Sequence, residues 1–134
     1  MRTICLCGST RFADHFKRLT TELSLRGHVV YTIALAKEDA SAGMTDEQKL
    51  ILDAVHMGKI ANSDSVHFIN VDGYMGESTR REFYFACVMG KTFTFEEPSK
   101  LTDEVKEHIK NLRPTSFEAY VEDIRSDIDN AARC

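Results

Sequence analysis

Short apolar runs alternate with helix-period segments along most of this chain, and that alternation restricts the fold more than any other feature. Thr3-Ile4-Cys5-Leu6-Cys7 reads as a buried strand that ends in the turn Gly8-Ser9-Thr10. From Arg11 to Leu25, the apolar residues Phe12, Phe16, Leu19, Leu23 and Leu25 fall close to helical spacing, and Gly27 stands where a helix C′ glycine belongs. His28 to Ala34 forms a second strand. Thr45-Asp46-Glu47-Gln48 is a capping box opening a helix to about Asn62, with a core stripe of Leu50, Ala54, Met57, Ile60 and Ala61. Ser65 to Asn70 is a third strand, Val71 to Glu77 a glycine-bearing loop, Ser78 to Met89 a helix closed by Gly90, and Lys91 to Phe95 a fourth strand. The order βαβαβαβ implies a parallel sheet flanked by helices, an α/β fold of the flavodoxin/Rossmann-like kind with strand order 2-1-3-4.

Around this core, Lys37 to Thr45 reads as a loop over the sheet edge. Beyond Pro98, Leu101 to Leu112 and Ser116 to Ala132 form two amphipathic helices separated by Pro114. The 134 residues fit a single domain, with a core over 1–95 and a helical extension over 99–134. A net charge of −4 offers no footprint for a nucleic-acid polymer or an anionic membrane, and no run approaches the ~20 apolar residues of a membrane span. Without a signal-peptide pattern, the expected location is cytoplasmic. Cys5, Cys7, Cys87 and Cys134 show no CxxC pair or zinc spacing, so they read as free thiols and neither a metal nor a cofactor is expected. On a strand, Cys5 and Cys7 point to the same face.

Open α/β sheets bind ligands at the carboxyl ends of strands where the strand order reverses, here between the first and third strands. Two loops leave those ends, Gly8-Ser9-Thr10-Arg11-Phe12 and the segment from Asn70 through Tyr74 and Gly76 to Glu77, Ser78 and Thr79. Both feed helix N-termini, which favour an anion such as phosphate, although neither a Walker A loop nor a GxGxxG fingerprint is present. Gly8 can equally be a plain turn glycine, Ser9 and Thr10 helix caps, and Arg11 a solvated first-turn residue. Tyr74 can stack on a base or ribose, or simply cover the loop. Thr79-Arg80-Arg81-Glu82 matches a capping box, giving Glu82 a structural reading. The same placement, in the first turn of a helix, would keep its carboxylate ionised and fit it to attack an anomeric carbon. Glu77 is the alternative carboxylate. His56 and Asp53 lie one helical turn apart; they are either a surface pair or a means of handling the proton of a leaving base.

Gly8-Ser9-Thr10-Arg11-Phe12, His56-Met57-Gly58-Lys59-Ile60, Ile69-Asn70, Gly73-Tyr74-Met75-Gly76-Glu77-Ser78-Thr79-Arg80-Arg81-Glu82 and Gly90-Lys91 together resemble the nucleoside 2-deoxyribosyltransferase-like superfamily. The GYxGEST element is the specific part and resembles the bacterial and phage branch that is similar to CMP-type nucleotide N-ribosidases; the likeness spans about residues 3 to 93. It implies a glutamate nucleophile shortly before the GK that opens the fourth strand, which is Glu82 here. It also implies sugar or 5′-phosphate contacts from Gly76, Ser78 and Thr79, base and phosphate contacts from Ser9, Thr10 and Arg11, and a homodimer or larger assembly. The classical transferases carry an aspartate on the second helix that helps protonate the base; His56 stands at or near that place, with Asp53 one turn earlier.

The expected activity is therefore cleavage of the N-glycosidic bond of a nucleoside 5′-monophosphate, a small-molecule partner, with Glu82 and His56 as catalytic residues. Deoxyribosyl transfer to a second base is the alternative within the same chemistry, separable by base exchange in a two-base mixture. A nucleotide-binding module would bind without turnover. A structural role for the C-terminal helices would be argued against by a truncation after Pro98 that costs neither activity nor assembly.

Overall fold

A computed structural model describes residues 1–33 and 43–112 of the chain. Four strands, β1 (Thr3–Gly8), β2 (Val29–Tyr31), β3 (Ser65–Ile69) and β4 (Thr92–Phe95), form one parallel sheet in the order β2-β1-β3-β4. That is the expected 2-1-3-4 order. The helices between them are α1 (Ala13–Leu25), α2 (Asp46–Ala61) and α3 (Glu77–Val88), and α4 (Asp103–Lys110) follows the sheet. The expected helix over Ser116 to Ala132, and the Lys37 to Thr45 loop up to residue 42, lie outside the described residues.

The alternation of β1 divides the core between the two faces of the sheet. Ile4 and Leu6 pack with Phe16, Leu19 and Leu23 of α1. Cys5 and Cys7 belong to the opposite cluster, with Ile60 of α2, Phe83 and Ala86 of α3, Val105 of α4, and Phe68, Phe93 and Phe95 of the sheet. Phe68 stacks on Phe95 at 5.5 Å, and Phe83 meets Phe93 edge-on at 5.2 Å, geometries worth about 0.5–1.5 kcal/mol each beyond area burial. Val105 is fully buried, so α4 belongs to the main core and the packing does not stop at Phe95.

Helix ends follow the local sequence. Gly27 (φ +84°) and Gly90 (φ +69°) take the left-handed conformation that ends α1 and α3. After each, paired bonds close the helix: His28 to Leu23 and Gly27 to Ser24, Lys91 to Ala86 and Gly90 to Cys87. Thr45 and Gln48 form both halves of the capping box on α2. Thr102 caps α4, which is shorter than the expected Leu101 to Leu112.

Two expectations need correction. The stripe on α2 is rotated: Ile60 is buried, but Leu50, Ile51 and Val55 are exposed, and His56 takes the second inward position. A polar side chain occupies a core position there, which hydrophobic periodicity alone cannot anticipate. In addition, α3 begins at Glu77 with extended Gly76 as its N-cap, and the Arg80 N–H donates to the Gly76 carbonyl. Thr79 is therefore inside the helix, and the capping box with Glu82 does not form. The buried positions of α3 are Thr79, Glu82, Phe83 and Ala86, a regular inward stripe. Among the described residues, no helix is long and apolar enough to cross a membrane.

Candidate active site

Glu82 sits about one and a half turns into α3, too far from the helix start for the macrodipole to hold its charge, which fades within the first turn. The inward stripe turns its carboxylate toward β1 and α2, where it is 7% exposed. Oε2 lies 3.9 Å from His56 Nε2 and accepts no hydrogen bond. Burial pushes the carboxyl up to about 7, against the opposing pull of His56. The helix dipole therefore does not hold the Glu82 charge, contrary to what its expected first-turn position implied; His56 is the group that most favours it.

His56 reaches the same spot from α2. Its Nε2 is 3.2 Å from Cys7 Sγ and 3.9 Å from Cys5 Sγ. Burial works against its imidazolium, but Cys5 and Glu82 outweigh that and raise its pKa. Burial pushes the Cys7 thiol up, while Cys5 is drawn down, first by its hydrogen bond with Cys7 and then by His56. The pair thus favours a single thiolate facing the imidazole. His56 Nδ1 is also buried and has no hydrogen-bond partner. Both ring nitrogens are turned inward, so His56 is placed to hold Glu82 rather than to meet a base arriving from solvent. Asp53, one turn earlier, is 3.7 Å from Arg81 at the surface.

Cys5 and Cys7 are the site residues that sequence reasoning passed over. The available signal was their shared face on the strand that leads into the expected site. The missing information was that α2 lays His56 across them.

The two loops meet at the carboxyl ends of β1 and β3. Ser9 accepts from the Arg11 N–H and caps the 3-10 turn Thr10–Phe12. Arg11 lies over the Tyr74 ring at 3.8 Å, and Phe12 meets Tyr74 edge-on at 6.1 Å. Arg11, Phe12 and Tyr74 thus bridge the two loops, with Arg11, Thr10 and Tyr74 exposed. Gly8 has a steric role: a Cβ there would fall 3.0 Å from the Ile69 carbonyl oxygen and 3.1 Å from the Ile69 Cβ. Gly76 passes close under Tyr74, whose hydroxyl would lie 3.2 Å from an added Cβ. Glu77 and Ser78 are exposed at the start of α3, whereas Thr79 is buried.

Asn70 was expected to contact substrate, and the structure assigns its amide elsewhere. It is fully buried; Nδ2 donates to the Glu97 carbonyl at 3.0 Å, and Oδ1 accepts from the Glu97 N–H at 2.8 Å. Glu97 also accepts from the Asp72 N–H, and Lys100 pairs with Asp72 at 3.3 Å. The segment after β4 therefore braces the β3 loop.

No family model and no curated protein matches the sequence. Among solved structures, the chain is similar to the 2-deoxyribosyltransferase of the psychrotolerant bacterium Bacillus psychrosaccharolyticus, with a TM-score of 0.53 and 17% identity over 69% of this chain and 70% of that one. It is also similar to the CMP N-glycosidase BcmB of Clostridium botulinum, with a TM-score of 0.50 and 18% identity over 69% of each chain. At these identities the likeness is one of fold, and the chain takes the α/β fold on which both of these enzymes are built.

Proposed function

We propose that the chain is a member of the nucleoside 2-deoxyribosyltransferase-like superfamily and cleaves the N-glycosidic bond of a nucleoside 5′-monophosphate. The observation that carries this reading is Glu82, a buried carboxylate with an oxygen that accepts no hydrogen bond, beside the carboxyl end of the central strand. Buried, strongly perturbed carboxyls in such a place are candidates for chemistry. Glu82 attacks C1′ as the C1′–N bond breaks, the departing base takes its proton from solvent water, and a water then hydrolyses the glycosyl–Glu82 ester to release the pentose 5-phosphate and return the carboxylate. His56 supports the Glu82 charge through its 3.9 Å contact. Arg11, held over Tyr74, and the free N–H groups opening α3 at Gly76, Glu77 and Ser78 are suited to the 5′-phosphate. Homodimeric or larger assembly follows only from the resemblance, and sedimentation would test it.

The test is release of free base from a panel of ribo- and deoxyribonucleoside 5′-monophosphates and the matching nucleosides, for wild type and Glu82→Ala. Wild type is expected to release one base, with the variant slower by about three orders of magnitude or more. Equal release by the variant would move the nucleophile to Glu77. No release from any member, with or without a second base, would leave a binding module. Likeness to a 2-deoxyribosyltransferase favours one second reading, base exchange, which the two-base arm of the panel detects.

A further inference from the structure

We propose that Cys5, Cys7 and His56, with Glu82 as fourth donor, form a binding site for a thiophilic divalent cation of the zinc class. The first three offer Cys5 Sγ, Cys7 Sγ and a His56 ring nitrogen, all within 4.8 Å of one another and all buried. Donors around a tetrahedral zinc-class ion, at bond lengths of about 2.0–2.3 Å, stand about 3.3–3.8 Å apart. The observed separations are 3.2 Å from Cys7 Sγ to His56 Nε2, 3.9 Å from Cys5 Sγ to the same atom, and 3.9 Å from that atom to Glu82 Oε2. The distances from His56 to the two sulfurs are within a few tenths of an ångström of these values, whereas Glu82 stands beside His56 but outside the three-donor cluster, so its side chain would have to turn toward the sulfurs to complete the shell. Glu82 Oε2 is buried beside His56 and accepts no hydrogen bond, so it is the nearest oxygen able to turn in as a fourth donor.

The donor chemistry selects the ion. Two sulfurs, one imidazole and one carboxylate suit zinc or a softer ion, whereas calcium and magnesium require shells built from oxygen. Geometry also disfavours the competing reading, a Cys5–Cys7 disulfide. Residues two apart on an extended strand have Cα atoms about 6.6–6.8 Å apart, at the upper edge of what a disulfide spans. β1 is paired on both sides at Cys5 and with β3 at Cys7, which resists puckering. The donors come from β1, α2 and α3, far apart in sequence, so no spacing pattern announces them.

Occupancy would engage the carboxylate proposed as nucleophile, so a bound ion would suppress base release; this consequence, unlike the site itself, rests on the function proposed above.

The experiment is a cobalt(II) titration of the full, chelator-treated chain, followed by absorption. The expected result is one cobalt per chain, with thiolate-to-cobalt charge-transfer bands and the strong ligand-field bands of tetrahedral coordination, displaced by one equivalent of zinc. Cys5→Ala and Cys7→Ala should each weaken cobalt binding by at least about 10-fold. The double variant Cys87→Ala/Cys134→Ala should bind like wild type. His56→Gln removes a donor without touching the central strand, and circular dichroism on each variant separates lost binding from lost fold. Absence of charge-transfer bands at saturating cobalt, or bands that survive in both cluster variants or vanish with the other two cysteines, would overturn the proposal. Cobalt bands without base release from any nucleotide would uphold the site while sinking the proposed reaction. Base release that zinc leaves untouched in a chain lacking the bands would do the reverse.

Discussion

Replacing Asn70 by alanine separates a scaffold role from a substrate role at a position where sequence and structure disagree. The substitution removes two hydrogen bonds, one from Nδ2 to the Glu97 carbonyl and one from the Glu97 N–H to Oδ1. Each contributes about 0.5–1.5 kcal/mol net. The two Glu97 backbone groups would then lack partners, but they are only part-buried, so water can replace some of what is lost. A total destabilisation of about 2 kcal/mol follows. Denaturant unfolding should show this as a lower midpoint at unchanged slope, and a thermal melt as a fall of roughly 5–15 °C. Asn70→Asp keeps the acceptor for the Glu97 N–H but sets a carboxylate oxygen against the Glu97 carbonyl, and should be at least as unstable. Well below the melting temperature, kcat/KM for the proposed base release should stay within a few-fold of wild type, because both ends of the amide are bonded to Glu97. Unchanged stability combined with lost activity would refute the reasoning and return Asn70 to the substrate.

The pair of His67 Nε2 and Glu96 Oε2, 2.7 Å apart, gives a pH signature. The hydrogen bond from His67, with Arg18 adding to it, holds the Glu96 carboxyl down at about 2. A depressed carboxyl stabilises above its unfolded value and loses that stability as pH falls from about 4.5 toward 2. Glu96→Gln should therefore remove up to about 3 kcal/mol of stability at pH 7 and roughly half of that by pH 3, read from denaturation at the two pH values; equal losses at both would count against it. Arg11→Ala should lower kcat/KM about 10- to 100-fold for 5′-monophosphates and much less for nucleosides, a ratio that would not move if Arg11 only packs on Tyr74. Glu82→Met should leave the chelator-treated protein as stable as wild type, or about 1–3 kcal/mol more stable, while abolishing base release; a loss of stability above about 1 kcal/mol would mean that the carboxylate is a structural element after all.

The fold was legible because its determinants are local or periodic. Four strands and four helices were readable from apolar spacing, and several of their ends from Gly27, Gly90 and the Thr45–Gln48 box. Parallel pairing followed from the alternation of element types. The misreadings share one cause, a local rule applied where tertiary packing decided. Thr79-Arg80-Arg81-Glu82 satisfies a capping pattern, yet extended Gly76 starts the helix one turn earlier. Leu50 and Ala54 satisfy a helical stripe, yet the inward position beside Ile60 goes to His56. Asn70 is a separate case: it lies at the carboxyl end of β3 as expected, and both ends of its amide bond Glu97, 27 residues later in the chain, a contact no local pattern announces.

The same displacement changes what Glu82 is. In a first turn, a glutamate gains from the dipole and from capping, and its presence needs no function to explain it. In the inward stripe with Thr79, Phe83 and Ala86, it gains neither, and burial works against its charge. Every other residue of that stripe fills space, and Phe83 alone joins most of the aromatic cluster. A chain under pressure only to fold would place an apolar side chain at position 82, because a buried carboxylate oxygen without a hydrogen bond costs stability. His56 is the same case on α2, the one polar residue at a position the helix buries. Two conflicts with local folding rules that converge at 3.9 Å, against two cysteines of the central strand, are what a site would leave behind where its chemistry overrides packing.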